Sequence, residues 1–328
     1  PATLSGMLRI LQTSLRARIF SLIAPALMLL AGMIALTYSS TRQSAEEDKG
    51  GIVELAAQSG AVATRSVAEG YGSLFQGWLA TDGETLGISI EFDLLDEVRG
   101  VFEDMQTKAP EFASWSLVGL DGTMLQSLGD LELDDTSIAY LGQRRDELLA
   151  GAGMAGLTPD ASAFPAAASS LLFVAPVQDS SAEPIGLFLA TIDLASLAGP
   201  LGSTQELLRS KGLAQANVAL VDLSAGQVLA TASPLASTDL DKQLVTAIAD
   251  TERGRSVPVE LGGTTWFAAA SSPDGLDSIA LVAIEPQDEL LASAHALLIK
   301  NLATGAAGGL VLVALYWLLS GRISRTFR

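Results

Sequence analysis

Apolar residues return at helical spacing along residues 52–79, where Ile52, Ala56, Ala63, Val67, Leu74 and Trp78 mark one face. The spacing predicts a long helix, although Gly60, Gly70, Gly72 and Gly77 each weaken it by up to ~1 kcal/mol. A second stripe, Leu94, Leu95, Val98, Val101, Phe102 and Met105, predicts another helix that Pro110 ends. The period then changes. Residues 112–120 and 123–128 read as strands around the tight turn Asp121-Gly122. A helix is expected over 138–150, and the Gly-, Ala- and Ser-rich stretch 151–170 reads as a loop. Residues 173–197 read as strand, turn, strand and the start of a helix, which continues to 212 with a break at Pro200. Strands follow at 216–222 and 227–232, a helix at 238–250, strands at 257–261, 265–270 and 278–284, and a helix at 289–300.

Part of this pattern occurs twice. FVAPVQDSSAEPIGLFLATIDLASL, from Phe173, aligns without a gap with FAAASSPDGLDSIALVAIEPQDELL, from Phe267, at an offset of 94 residues. Phe173 meets Phe267, Ala175 meets Ala269, Ile185 meets Ile279, Leu187 meets Leu281 and Leu197 meets Leu291. Upstream of each copy lies a hairpin, VGLDGTMLQS from Val118 and VDLSAGQVLATA from Val221. Two copies are too few for a solenoid, so the middle of the chain is expected to be a tandem of one small β-rich module.

Two stretches carry no charge. Residues 19–38 and 301–319 are each long enough to cross ~30 Å of hydrocarbon. Tyr316 and Trp317 are placed for an interfacial belt. The first run exceeds the ~7–15 residues of a signal-peptide core, and no A-x-A site follows it. Arg9, Arg16 and Arg18 precede the first span, and Arg322, Arg325 and Arg328 follow the second. All 37 Asp and Glu lie between the spans. The short basic flanks place both termini in the cytoplasm and the middle outside, with the bilayer as one partner. The acidity excludes nucleic acid as a partner and favours solubility of the outer region. With no Cys, neither a disulfide framework nor a thiolate metal site can form.

Two spans bracketing a long helix and VGLDGTMLQS, APVQDSSAEPIGLFLATIDLASL, VALVDLSAGQVLATASP and IALVAIEPQDELL, in that order, resemble the double-Cache sensor domain of bacterial transmembrane receptors. The likeness covers roughly residues 40–300. It implies an α+β fold, two tandem PAS-like antiparallel-sheet modules on a long helix, flanked by two transmembrane helices. The expected organisation is a cytoplasmic segment at 1–18, a first span at 19–38, and long helices at 39–110. A membrane-distal module at 111–200 and a membrane-proximal one at 201–292 follow. Residues 293–320 hold a helix and the second span, and 321–328, GRISRTFR, resemble the start of a HAMP linker. The resemblance implies that the distal module holds a small organic ligand and that the proximal one relays to the second span. The pocket maps to Tyr140, Arg144 and Arg145, with Trp115, Phe173 and Asp193 on the sheet side. An Arg beside aromatics can clamp a carboxylate through two parallel hydrogen bonds, and Asp193 could pair with an ammonium. The alternative for the arginines is a surface salt bridge. Arg144-Arg145-Asp146-Glu147 lacks the R-x-W-Y signature of the family's amino-acid-binding branch.

Other motifs carry less. The segment 151–156, GAGMAG, fits G-x-G-x-x-G but follows a helix instead of a strand, so a loop is expected. Asp130, Glu132, Asp134 and Asp135 lack the Gly and terminal Glu of a calcium loop. His295, the single histidine, has no second ligand or nucleophile near it in sequence. No enzyme, cofactor or metal site is expected. Gly305 and Gly309 form a G-x-x-x-G step that suits close packing against another transmembrane helix, from a second copy or a different subunit. Two functions remain: an inner-membrane sensor whose effector lies elsewhere, or an accessory subunit that uses a Cache fold as a packing module. The Ala-rich stretch 161–168 leans toward the second.

Overall fold

Helix α1 runs unbroken over Ala2–Glu91 in the computed structural model, which describes residues 2–149, 170–234, 238–249 and 254–326. The chain divides into two compact units, residues 51–287 and residues 1–50 with 288–328.

In the first unit, α1 buries Val53, Ala56, Ala57, Ala61, Ala68, Phe75 and Leu86. Of the stripe read in the sequence, Ala56 is buried and Ile52, Val67 and Trp78 pack against this core, whereas Leu74 is 48% exposed beside the fully buried Phe75. The apolar line is mostly alanine, and small side chains let a helix lie close to a sheet. The glycines do not interrupt it, because tertiary packing outweighs propensity. Helix α2 (Leu95–Lys108) buries Val98, Phe102 and Met105 on the same core.

Strands β1 (Phe112–Gly119), β2 (Met124–Gly129), β3 (Ser170–Gln178) and β4 (Pro184–Asp193) form an antiparallel sheet in the order β2-β1-β4-β3. The expected helix after β2 is two, α3 (Asp135–Gln143) and α4 (Arg145–Leu149). Asp134 accepts the Ser137 N–H at 2.8 Å as the N-cap of α3, so the acidic loop ends in a helix start. A 3₁₀ turn (Leu194–Ala198) and α5 (Leu201–Ser210) lead onward, broken at Pro200 as the sequence predicts.

The second sheet has β5 (Asn217–Asp222), β6 (Gln227–Thr231), β7 (Ser256–Leu261), β8 (Thr264–Ser271) and β9 (Ile279–Pro286) in the order β6-β5-β9-β8-β7. Helix α6 (Thr238–Ala249) covers one face of it with Leu244, Val245 and Ile248. Both sheets thus carry α1 on one face and short helices on the other, which fits two PAS-like modules.

The gapless repeat needs a correction. Phe173 pairs with Ala190, but Phe267 pairs with Glu285, so the second hairpin is one residue longer between these positions. A one-residue shift moves every side chain to the other face. Leu187 faces α3 and α4, whereas Leu281, its partner in the gapless alignment, faces α1.

In the second unit, α7 (Gln287–Leu290) precedes α8 (Ala292–Thr326). Within α8, Ala294–Leu315 is long and apolar enough to cross a membrane, with a mean hydropathy of 1.7, and beyond the buried Ala294 none of its described side chains is buried. Among the described side chains of the first expected span, Met28, Leu29, Met33 and Leu36 are exposed. The Tyr38 and His295 rings stack with centroids 6.2 Å apart. A Cβ on Gly305 would lie 3.0 Å from Ile34 and 3.4 Å from Leu30. The Gly305 face therefore meets the chain's own α1, which packs antiparallel to α8; the sequence alone suggested a second copy or another subunit. The stretches 151–156 and 161–168 lie outside the described residues.

Candidate ligand-binding face of the first module

Strand alternation sorts the six expected pocket residues onto two faces. Toward α1 and α2 point Phe112, Trp115, Leu117, Phe173, Phe188 and Ala190. Toward α3 and α4 point Val118, Leu172, Val174, Leu187 and Leu189.

Trp115 and Phe173 are thus core residues. Both are fully buried; the Trp115 ring lies 4.4 Å from that of Phe112 and 5.8 Å from that of Phe188. Its indole N–H donates to Gln106 Oε1 at 3.0 Å. Phe173 lies 5.7 Å from Phe75 of α1. Neither shares a cavity with the arginines, because a sheet stands between them.

Arg144 takes the salt-bridge alternative. It donates to both oxygens of Glu147, Nε to Oε2 at 2.9 Å and a terminal nitrogen to Oε1 at 2.7 Å. A further N–H donates to the Tyr140 hydroxyl at 2.8 Å. The Glu147 carboxylate, and then the Tyr140 hydroxyl, raise the guanidinium above its ordinary pKa. Arg144 in turn holds Glu147 below the usual carboxylate range. Such a half-exposed pair contributes little stability, and it occupies the fork a ligand carboxylate would need. Arg145 lines a narrow cleft of about 100 Å³ with Val118, Asp121, Gly122 and Leu141, at the Gly119 end of β1. Asp193 ends β4 and accepts the Ala195 N–H at 2.8 Å, capping the 3₁₀ turn.

What the sequence reading missed is on the α3–α4 face at the other end of β1. Ser114 and Ser116 alternate with Trp115 and Leu117, and so point away from the aromatic core. Ser114 pairs with Thr191 in the ladder and Ser116 with Ser127. The hydroxyls of Ser114 and Thr191 lie 2.5 Å apart, and those of Ser116 and Ser127 lie 3.1 Å apart. Ser114, Ser116 and Thr191 are each less than 5% exposed. Ser170 and Asp193, a ladder pair two residues beyond Leu172 and Thr191, share this face. The signal was present as a polar i, i+2 pair inside a strand whose other positions are aromatic or aliphatic. Among the described residues no group of three His, Cys, Asp or Glu converges to hold a metal ion.

No protein-family model matches the sequence, and no curated protein is similar to it. Its structural neighbours are ligand-binding sensory domains of bacterial chemoreceptors. The sensory domain of the Campylobacter jejuni chemoreceptor Tlp3 is 12% identical, with a TM-score of 0.43 over 78% of this chain and 99% of that one. The ligand-binding domain of Mlp24, solved with asparagine, is 11% identical, with a TM-score of 0.41 over 82% and 98% of the two chains. That of the Pseudomonas aeruginosa PAO1 amino acid chemoreceptor PctB, solved with L-Gln, is 16% identical, with a TM-score of 0.43 over 77% and 97%.

Proposed function

We propose that the chain is the sensory part of a bacterial inner-membrane receptor. A small polar molecule binds the α3–α4 face of the first module, and the second module relays the event to α8. Residues 19–38 and α8 would be the two spans, with residues 40–300 outside and both ends in the cytoplasm.

One observation carries the reading, the contrast between corresponding faces of the two modules. In the second module that face is closed by apolar packing: Ala219, Val221, Ala268, Ala270, Ala280 and Val282 sit under α6. In the first, a row of buried hydroxyls breaks an otherwise apolar surface. These hydroxyls satisfy one another in pairs, so the first module keeps a polar, hydrogen-bonded patch where the second packs aliphatic side chains.

The full chain in detergent or nanodiscs, screened against small metabolites by thermal unfolding, tests the proposal. A ligand present at ~100 times its Kd stabilises by about 2.7 kcal/mol. The expected result is at least one stabilising compound whose effect falls at least tenfold in apparent affinity in Thr191→Val or Ser116→Ala. If no compound stabilises the chain, or if every effect survives both substitutions, the sensory face is elsewhere or absent.

A further inference from the structure

On the other side of the first sheet, α1 and the end of β3 border an open groove of about 380 Å³. The helix touches the strand at Gly87, where a Cβ would lie 2.1 Å from the Gln178 carbonyl oxygen. One turn earlier the two diverge: a Cβ on Gly83 would meet only Leu79 of its own helix, at 3.4 Å. The apolar lining comes from Leu79 and Ile88 of α1 and from Pro176 and Val177 of β3. Glu84 and Asp179 line the groove too. Asp179 Oδ1 accepts the Ser181 and Glu183 N–H groups at 2.8 and 2.9 Å, which fixes that carboxylate in the β3–β4 turn. Ser180, also in the lining, donates to Glu91 Oε2 at 3.5 Å and so brings a third carboxylate beside it. Among the described residues no basic side chain lines the groove. Between Arg65 and Arg209 the sequence has only four cations, Arg99, Lys108, Arg144 and Arg145. Arg99 and Lys108 lie on α2, which packs on β1 and β2, and Lys108 is bonded to Asp104 and sits over the Trp78 ring. Arg144 is bonded to Glu147, and Arg145 lines the cleft under α3.

An apolar cavity of this size with a few fixed polar groups is the usual form of a small-molecule site. Its chemistry narrows the guest. An anion would be repelled, and a neutral apolar guest would leave the carboxylates unmatched. A metal ion lacks ligands, since no group of three His, Cys, Asp or Glu converges among the described residues. We propose that the α1–β3 groove binds a small organic cation with an apolar body. Its charged N–H head lies on Glu84 and Asp179, and its hydrocarbon lies on Leu79, Ile88, Pro176 and Val177. The site is on the opposite side of the sheet from the hydroxyl row, and it stands without the sensory reading.

Four probes separate charge from shape: cyclohexylamine, cyclohexanol, sodium cyclohexanecarboxylate and methylamine. Each is titrated against the full chain in nanodiscs of zwitterionic lipid at one pH and ionic strength, with unfolding temperature as the readout. The expected result is a saturable rise with cyclohexylamine, at least fivefold tighter in apparent affinity than with any of the other three. Glu84→Gln, an isosteric change at an exposed helix position, should weaken it about fivefold. Gly83→Leu should abolish it by filling the groove. Glu97→Gln, an equally exposed carboxylate on α2, should leave it unchanged. Methylamine binding as well as cyclohexylamine would reduce the effect to bulk charge, and cyclohexanol binding as well would reduce it to apolar partition; either overturns the proposal. So does the absence of any cyclohexylamine effect, or an affinity unchanged in Glu84→Gln, a result that stands even if Gly83→Leu fails to fold. Thr191→Val keeps the two readings apart: the cyclohexylamine effect should persist in it, and losing it there would move the amine to the hydroxyl face and end the claim for the groove.

Discussion

Phe188→Ala is expected to lower the stability of the 51–287 unit by about 3–5 kcal/mol, the usual cost of deleting a large buried aromatic. Phe188 is fully buried on β4, where rings from three other elements converge on it. Phe75 of α1 lies 4.9 Å away, Trp115 of β1 5.8 Å and Phe102 of α2 5.9 Å. No single neighbour can collapse into the space, because each is held by its own helix or strand. The cavity term should therefore be near the upper end of its range. Urea unfolding followed by tryptophan fluorescence reads the loss, with Trp115 adjacent to the lesion. Phe92→Ala serves as the contrast: Phe92 is 64% exposed, and its truncation should stay within about 0.5 kcal/mol of wild type. If Phe188→Ala costs no more than Phe92→Ala, the aromatic cluster does not hold α1 and α2 to the first sheet.

Most of the elements were legible, and the reason is local. Turns such as Asp121-Gly122, where Gly122 has φ of +87°, and the break at Pro200 are dictated by backbone chemistry within a few residues. The strands announced themselves by the change from helical to alternating period. What could not be read locally was which face each element turns to its neighbours. In α1, Ile52, Ala56, Val67 and Trp78 were placed rightly against the core, but Ala57, Ala61 and Ala68 went unread because alanine scores weakly as apolar, and Leu74 was read where Phe75 is buried. The repeat hid its one-residue slip because both registers align aliphatic with aliphatic, Leu187 with either Leu281 or Val282. Only pairing across the sheet separates the two.

The candidate site failed and succeeded on the same principle. Trp115 and Phe173 were grouped with Arg144 because large aromatics and a cation suggest a pocket. Alternation along β1 already placed Trp115 opposite Ser114 and Ser116, so the serines and not the tryptophan belong with α3 and α4. Tyr140 and Arg144 are four residues apart at the end of one helix, so they were placed to meet each other before any ligand. Glu147, three residues on, completes that local set. Residues that can satisfy one another within one turn of helix are weak candidates for a binding site.

The glycines of α1 yield the last expected result, one that turns on sign. A Cβ built on Gly87 would lie 2.1 Å from the Gln178 carbonyl oxygen and 3.2 Å from its carbon. Backbone, not a movable side chain, stands there, at the end of β3 where the β3–β4 turn begins. On Gly70 and Gly77, by contrast, a Cβ would meet nothing within 4 Å. All three are interior positions of one helix, so intrinsic propensity alone would make Ala better than Gly at each by up to ~1 kcal/mol. Gly70→Ala and Gly77→Ala should therefore stabilise, raising the urea midpoint slightly. Gly87→Ala should do the reverse, with an overpacking cost of about 1–3 kcal/mol that exceeds the propensity gain, because α1 and the hairpin must separate to admit one methyl group. The three midpoints, measured side by side, decide the matter. A rise at Gly87 equal to that at Gly77 would mean that the hairpin does not sit on α1. A fall at Gly87 alone would show that a residue which weakens the helix in isolation is the one that lets the first sheet dock against it.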